Sequence, residues 1–244
     1  MGVNTTSSID TNTTQDVQVQ PTGVQPRVVI VGAGFGGLKA SKALATTPVH
    51  LTVIDRDNYH LFQPMLYEVA TAGLAPDDIS SPIRETLKHQ SNTEVLMAEV
   101  TSIDVQGQRV LMGDESVPYD YLIVATGASN NYFGHDEWRQ LAPGLKVLED
   151  ALEIRDIILS VFEVAEREAD LEKRQADLTF VLVGGGPTGV ELAAAMADLM
   201  HKSMSGSFRH IRPASARIIL VEGESRIMPS FPASPVTQPQ ARRN

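Results

Sequence analysis

Arg27-Val-Val-Ile-Val-Gly-Ala-Gly-Phe-Gly-Gly-Leu-Lys39 decides the fold. Four β-branched residues, Val28 to Val31, make a buried strand. Gly32, Gly34 and Gly37 follow at G-x-G-x-x-G spacing, and Leu38, Ala40 and Leu44 continue with helical periodicity. Gly32 permits the tight turn out of the strand. Gly34 lets the backbone approach a pyrophosphate, and Gly37 lets the helix lie close on the sheet. The free N–H groups and positive dipole end of that helix favour phosphate. A second strand-like run, Leu51-Thr-Val-Ile54, ends in Asp55, where a carboxylate can take the ribose hydroxyls of a dinucleotide.

The same construction recurs downstream. Thr179 to Val183 reads as a buried strand, followed by Gly184-Gly-Gly-Pro-Thr-Gly-Val-Glu-Leu-Ala193. Gly184, Gly186 and Gly189 repeat the fingerprint, with Thr188 inside the loop. A helix is expected to about Met200, then a strand from Arg217 to Val221 that ends in Glu222. The gap from Gly184 to Glu222 exceeds the usual spacing of about 20 residues; Ser203 to Arg212 reads as the insertion that accounts for it. A carboxylate at Glu222 repels a 2′-phosphate, so NADH is expected over NADPH, with Arg226 nearby as a counter-indication. The fold class is therefore α/β, with two dinucleotide-binding βαβ units in one chain.

Between the two fingerprints lies an unusual block, Arg56-Asp-Asn-Tyr-His-Leu-Phe-Gln-Pro-Met-Leu-Tyr-Glu-Val-Ala-Thr71. It gathers Tyr59, His60, Phe62, Gln63 and Tyr67 around Pro64 and turns helical at Met65 to Val69. Such side chains either cover a planar ring or pack a crossover. Ser81 and Pro82 are expected to start a helix that runs to about Gln90. Glu94 to Asp104 reads as a strand, and Gln108 to Met112 with Ser116 to Pro118 as a hairpin across Gly113-Asp114. Tyr121 to Val124 reads as a buried strand closed by Ala125-Thr126-Gly127, at the crevice end of a parallel sheet. Leu148 to about Ala176 reads as one long helix, and the charge run Glu166 to Lys173 as its solvated face.

Composition sets bounds. The chain has 244 residues, 42% of them hydrophobic, with a net charge of −10. That balance suits a globular core and argues against nucleic-acid binding. Cysteine is absent, which removes thiol nucleophiles, thiolate metal sites and dithiol redox chemistry; no metal site is expected. No apolar run is long enough to span a bilayer. The expected organisation is a polar, disordered tail over 1–26, a first nucleotide domain over 27–147, a partial second one over 148–228, and a Pro-rich irregular tail over 229–244.

Together the two fingerprints, Ala125-Thr-Gly127 and above all Asn58-Tyr-His-Leu-Phe-Gln-Pro64 resemble the two-dinucleotide flavoprotein oxidoreductases. Within them the chain is most similar to the single-subunit, non-pumping type II NADH:quinone oxidoreductases. The resemblance covers roughly Arg27 to Pro232. It implies FAD in the first unit, held by Gly32, Gly34, Gly37, Asp55 and Arg56, with Thr126 and Gly127 lining the crevice and His60, Gln63 and Pro64 near the isoalloxazine. It implies NADH in the second, held by Gly184, Gly186, Thr188, Gly189 and Glu222. Glu191 matches a glutamate given charge or proton control during quinone reduction. The electron acceptor implied is a membrane quinone, and the place is the cytoplasmic face of an inner membrane, bound peripherally. The family's later segments, including its membrane-docking region, find no counterpart after Pro229. The expectation is a fragment, soluble without that region, whose open edges favour pairing with another chain, a homodimer included. Two other readings remain at this point: a soluble flavoprotein reductase with a protein acceptor, and a nucleotide-binding remnant without turnover.

Overall fold

The computed structural model describes Gly23 and residues 25–232. The tail expected over 1–26 lies almost wholly outside the described residues, and so does the Pro-rich tail beyond Pro232.

The first crossover unit comprises β1 (Arg27–Val31), α1 (Phe35–Ala43) and β2 (His50–Asp55). The aromatic block supplies β3 (Tyr59–Leu61) and α2 (Leu66–Ala70), joined by a 3₁₀ turn over Gln63–Met65. Then come β4 (Ser80–Pro82), α3 (Ile83–Leu87) and β5 (Thr93–Met97). A meander of β6 (Ser102–Asp104), β7 (Arg109–Met112) and β8 (Glu115–Pro118) leads to β9 (Tyr121–Val124). The main sheet is parallel, ordered β5-β2-β1-β9. Its apolar runs are near-continuous because both faces are covered. Val28, Ile30, Leu51 and Val53 pack toward α1 and α3, while Val29, Val31 and Ile54 pack toward the meander.

The second half contains α4 (Leu148–Arg167), α5 (Leu171–Asp177), β10 (Thr179–Val183), α6 (Pro187–Asp198) and β11 (Arg217–Val221). β10 and β11 pair in parallel, Val183 opposite Val221. A π-helical turn, Leu199–Ser203, extends α6. A third core joins the halves: Leu66, Val69 and Ala70 of α2 pack with Phe162 and Ala165 of α4 and Leu192 and Met196 of α6. Phe162 is fully buried there, with ring centroids 5.8 Å from Phe180 and 6.0 Å from Phe208.

Several sequence expectations are corrected. Ser81 does not cap a helix; it lies in β4, opposite His60 of β3. Pro82 is extended at ψ 129°, and the Ile83 N–H donates to the Asn58 carbonyl at 3.0 Å, so α3 starts later and ends by Leu87. The strand over Glu94 to Asp104 divides, because β5 joins the parallel sheet and β6 the antiparallel meander. The single long helix breaks before Asp170, whose carboxylate accepts the N–H groups of Glu172 and Lys173 and starts α5 afresh. Tyr121 and Val124 are 64% and 57% exposed, since β9 is a sheet edge, and Val181 and Val183 project from the uncovered face of the β10–β11 pair. The hairpin across Gly113-Asp114 is present as β7 and β8. No described helix is long and apolar enough to cross a membrane.

Candidate functional site

Both glycine loops are built alike, down to the hydrogen bonds. β1 ends in Gly32 at φ +100° and β10 in Gly184 at φ +109°, a region that L side chains avoid. The Gly32 N–H donates to the Ile54 carbonyl at 2.7 Å, and the Gly184 N–H to the Val221 carbonyl at 2.8 Å. A Cβ on Gly37 would collide with the Gly32 carbonyl, and one on Gly189 with the Gly184 carbonyl. The third glycine of each loop therefore sets how closely helix and strand approach. The middle glycines differ: a Cβ on Gly34 or Gly186 meets nothing within 4 Å. Each caps its helix with extended backbone and no side-chain hydrogen bond. The first-turn N–H groups are left for a ligand.

The carboxylates repeat the symmetry. Asp55 Oδ2 accepts the Ala33 N–H at 2.5 Å, and its Oδ1 accepts the Asp57 N–H at 2.9 Å. Glu222 Oε2 accepts the Gly185 N–H at 2.6 Å, and its Oε1 the Glu224 N–H at 3.0 Å. The Glu224 N–H and then the Gly185 N–H hold the Glu222 carboxyl below its ordinary range. In each unit the acid at the end of the second strand grips the residue between the first two glycines. It stays half-buried, with oxygen lone pairs left to accept ribose hydroxyls. Arg226 does not reach toward this acid for a partner. Its guanidinium donates to the Pro229 and Phe231 carbonyls at 2.7 and 2.6 Å.

The aromatic block folds back onto the first loop. His60 Nδ1 lies 3.0 Å from the Ala33 carbonyl oxygen, which requires a proton on Nδ1 and leaves Nε2 facing away. Phe35, at the start of α1, meets the His60 and Phe62 rings edge-on at 5.1 and 5.5 Å. Ala125 closes over the same loop: its N–H donates to the Val31 carbonyl at 2.7 Å, and the Ala125–Thr126 peptide lies against Gly32. Thr126 and Gly127 are exposed beside it, Gly127 at φ +72°. Gly32, Gly34, Gly37, Asp55, His60 and Thr126 thus gather around one strand end.

Other candidates are placed differently. Gln63 turns outward and donates to the Lys146 carbonyl at 3.1 Å, and Pro64 lies exposed in the 3₁₀ turn. Arg56 pairs with its neighbour Asp57 at 3.6 Å. Thr188 and Glu191 are exposed on the first turns of α6. Burial, then the Glu68 and Glu191 carboxylates, push the Tyr67 hydroxyl up, which sets Glu191 across from α2. Burial and then Glu149 push the Tyr59 hydroxyl up to about 12, so it stays protonated.

Two residues escaped the sequence reading. Asp150, 1% exposed, accepts the Lys146 and Val147 N–H groups at 2.8 and 3.1 Å and so fixes the carbonyl that holds Gln63. Glu166 belongs to the run read as a solvated face. Its carboxylate instead accepts the N–H groups of Arg209, His210 and Ile211 at 2.8 to 3.1 Å. Partial burial opposes its charge, and those three bonds more than offset that and hold the carboxyl below its ordinary range. No periodicity marks either residue, because both act on loops distant in sequence.

The chain is 47% identical over 223 residues to the type II NADH:quinone oxidoreductase Ndh of Mycobacterium tuberculosis, an alignment covering 88% of this chain and 48% of that protein. It is 33% identical over 216 residues to the external alternative NADH-ubiquinone oxidoreductase of Yarrowia lipolytica mitochondria, covering 84% and 37%. The structure of NDH2 from Plasmodium falciparum in complex with NADH superposes with a TM-score of 0.75 at 27% identity, over 85% of this chain and 44% of that one. The chain thus spans about half the length of its mycobacterial relative and less of the others. The model of the pyridine nucleotide-disulphide oxidoreductases matches residues 26–241. With both loops built to one plan and that match across nearly the whole chain, the protein belongs to the pyridine nucleotide-disulphide oxidoreductase family.

Proposed function

We propose that this chain carries the two nucleotide sites of an NADH:quinone oxidoreductase, with FAD on residues 27–147 and NADH on residues 148–228. The observation that carries this reading is the duplicated loop, with Asp55 and Glu222 in equivalent hydrogen bonds. The residues fit both groups. Gly34 and Gly186 leave the backbone open where a pyrophosphate approaches, and each acid keeps acceptor capacity for ribose. The Glu222 carboxylate repels a 2′-phosphate, and the guanidinium of Arg226 is engaged by two carbonyls. NADH is favoured over NADPH on that account.

Bound FAD supplies hydride acceptance from a nicotinamide and electron delivery onward. The chain's own residues orient and shield. Phe35, itself backed by Phe62, braces His60, and Ala33 fixes its tautomer, so Nε2 is presented in a constant direction. Glu191 stands one turn into α6 as an exposed carboxylate able to hold or release a proton at Oε. The acceptor class comes from the relatives, named as quinone and ubiquinone oxidoreductases. A lipid-dissolved quinone places the reaction at a membrane surface.

The test is anaerobic reoxidation. Chain loaded with FAD and reduced by NADH is mixed with a water-soluble short-chain quinone, and flavin colour is followed. Rapid return of colour is expected, slowed about a hundredfold by Glu191→Gln with NADH affinity unchanged. Return of colour with dioxygen but not with quinone would remove the quinone assignment.

A further inference from the structure

The segment from Leu199 to Val221 stands out from a chain of net charge −10. It contains Lys202, Arg209, Arg212 and Arg217 and no carboxylate. It folds around a depression of about 370 Å³ beyond the C-terminal end of α6. Met200, Ile211 and Pro213, all buried, form its apolar floor. Arg209, Arg212 and Ser205 stand at its rim, all exposed. Neither arginine has a carboxylate within ion-pair distance among the described residues. Lys202, by contrast, is engaged by Asp198 at 2.8 Å.

The rim is held from behind through the main chain. Glu166 binds the N–H groups of Arg209, His210 and Ile211, and Arg174 donates to the Glu168 carbonyl and, at 3.5 Å, to the His210 carbonyl. The Glu166 carboxylate is therefore satisfied by backbone donors and forms no ion pair with either guanidinium. On the other side Gly206 turns the chain at φ +75°. The site is separate from the nucleotide crevice. The second glycine loop lies at the N-terminal end of α6, and its 12 residues separate the two by about 18 Å.

We propose that this depression binds the phosphate group of an amphiphilic phosphate ester, the arginines taking the phosphate oxygens and the apolar floor taking the hydrocarbon part. Guanidinium forks match phosphate geometry, and two of them outweigh the negative end of the α6 dipole. An apolar floor beneath paired cations selects for an ester with a hydrocarbon portion over a bare anion. A soluble phosphate ester and a phospholipid headgroup share this chemistry.

Calorimetric titration of the 244-residue chain with inorganic phosphate and with hexyl phosphate tests the pocket, and sedimentation with phosphatidylglycerol or phosphatidylcholine vesicles tests the lipid source. Hexyl phosphate should bind at least tenfold tighter than inorganic phosphate. Arg209→Ala and Arg212→Ala should each weaken it about tenfold, and the Lys variants should weaken it less. The contacts to Glu166 use main-chain N–H groups, so both variants should keep the native circular dichroism and melting temperature. Arginine-dependent sedimentation with phosphatidylglycerol and not phosphatidylcholine identifies the source as lipid; hexyl phosphate binding without sedimentation identifies a soluble ester. Equal affinity for phosphate and hexyl phosphate, or binding indifferent to both arginines in folded variants, would overturn the proposal.

Discussion

At the residue scale, the two third-position glycines make the sharpest contrast. A Cβ at Gly37 strikes the Gly32 carbonyl, and one at Gly189 strikes the Gly184 carbonyl. Each clash pushes one helix off one strand and should leave the other loop intact. Gly37→Ala should therefore lose FAD affinity by tenfold or more while retaining NADH, and Gly189→Ala should do the reverse; fluorescence titration with each nucleotide reads both. Loss of both ligands in either variant would mean that the loops are not independent sites. A second residue-scale prediction concerns acid. Arg27 grips Asp120 at 2.8 Å and, by that side-chain hydrogen bond first, holds its carboxyl down to about 2. An unfolded aspartate titrates near about 3.9. The folded value is the lower one, so the pair stabilises the fold above about pH 4 and that contribution is lost as the pH falls through about 2. The melting-temperature gap between the native chain and Asp120→Ala should close over that window. A gap unchanged at pH 2 would contradict it.

At the scale of elements, the break between α4 and α5 and the core beneath it carry the predictions. Asp170 starts α5 by accepting two N–H groups, so Asp170→Ala should cost about 1 kcal/mol in urea unfolding. Phe162 is fully buried between Phe180 and Phe208, so Phe162→Ala should cost about 3–5 kcal/mol. An exposed-site value below about 0.5 kcal/mol at Phe162 would contradict the shared core. These elements also show what sequence can reveal. β1, β2, β10 and β11 were legible because β-branched runs end in glycine or a carboxylate. The hairpin across Gly113-Asp114 was legible from its turn. The β3–β4 pairing was not, since Ser81-Pro82 carries helix-start chemistry and only the partner strand overrides it. The exposure of Tyr121 and Val183 was not legible either, because burial depends on neighbours and composition is silent about which strand lies at an edge. Asp55 and Glu222 could be read from their places at strand ends, whereas Asp150 and Glu166 act on distant loops and have no local signature.

At the scale of the whole molecule, one apolar core ties the aromatic block to the second nucleotide unit. The block begins at the first glycine loop, where His60 meets Ala33, and ends in α2, which packs on α4 and α6. The loop proposed for FAD and the helix that bears Glu191 are thus linked by packed elements. Apolar side chains at the β9 edge and on the outer face of the β10–β11 pair remain exposed. The two loops are proposed to hold FAD and NADH in working relation. The most direct measurement is the visible spectrum of the chain after incubation with FAD and desalting, before and after anaerobic NADH. The account predicts retained flavin absorption that NADH bleaches and an equal concentration of NADPH does not. A colourless protein after desalting, or retained flavin that NADH leaves unchanged, would contradict it.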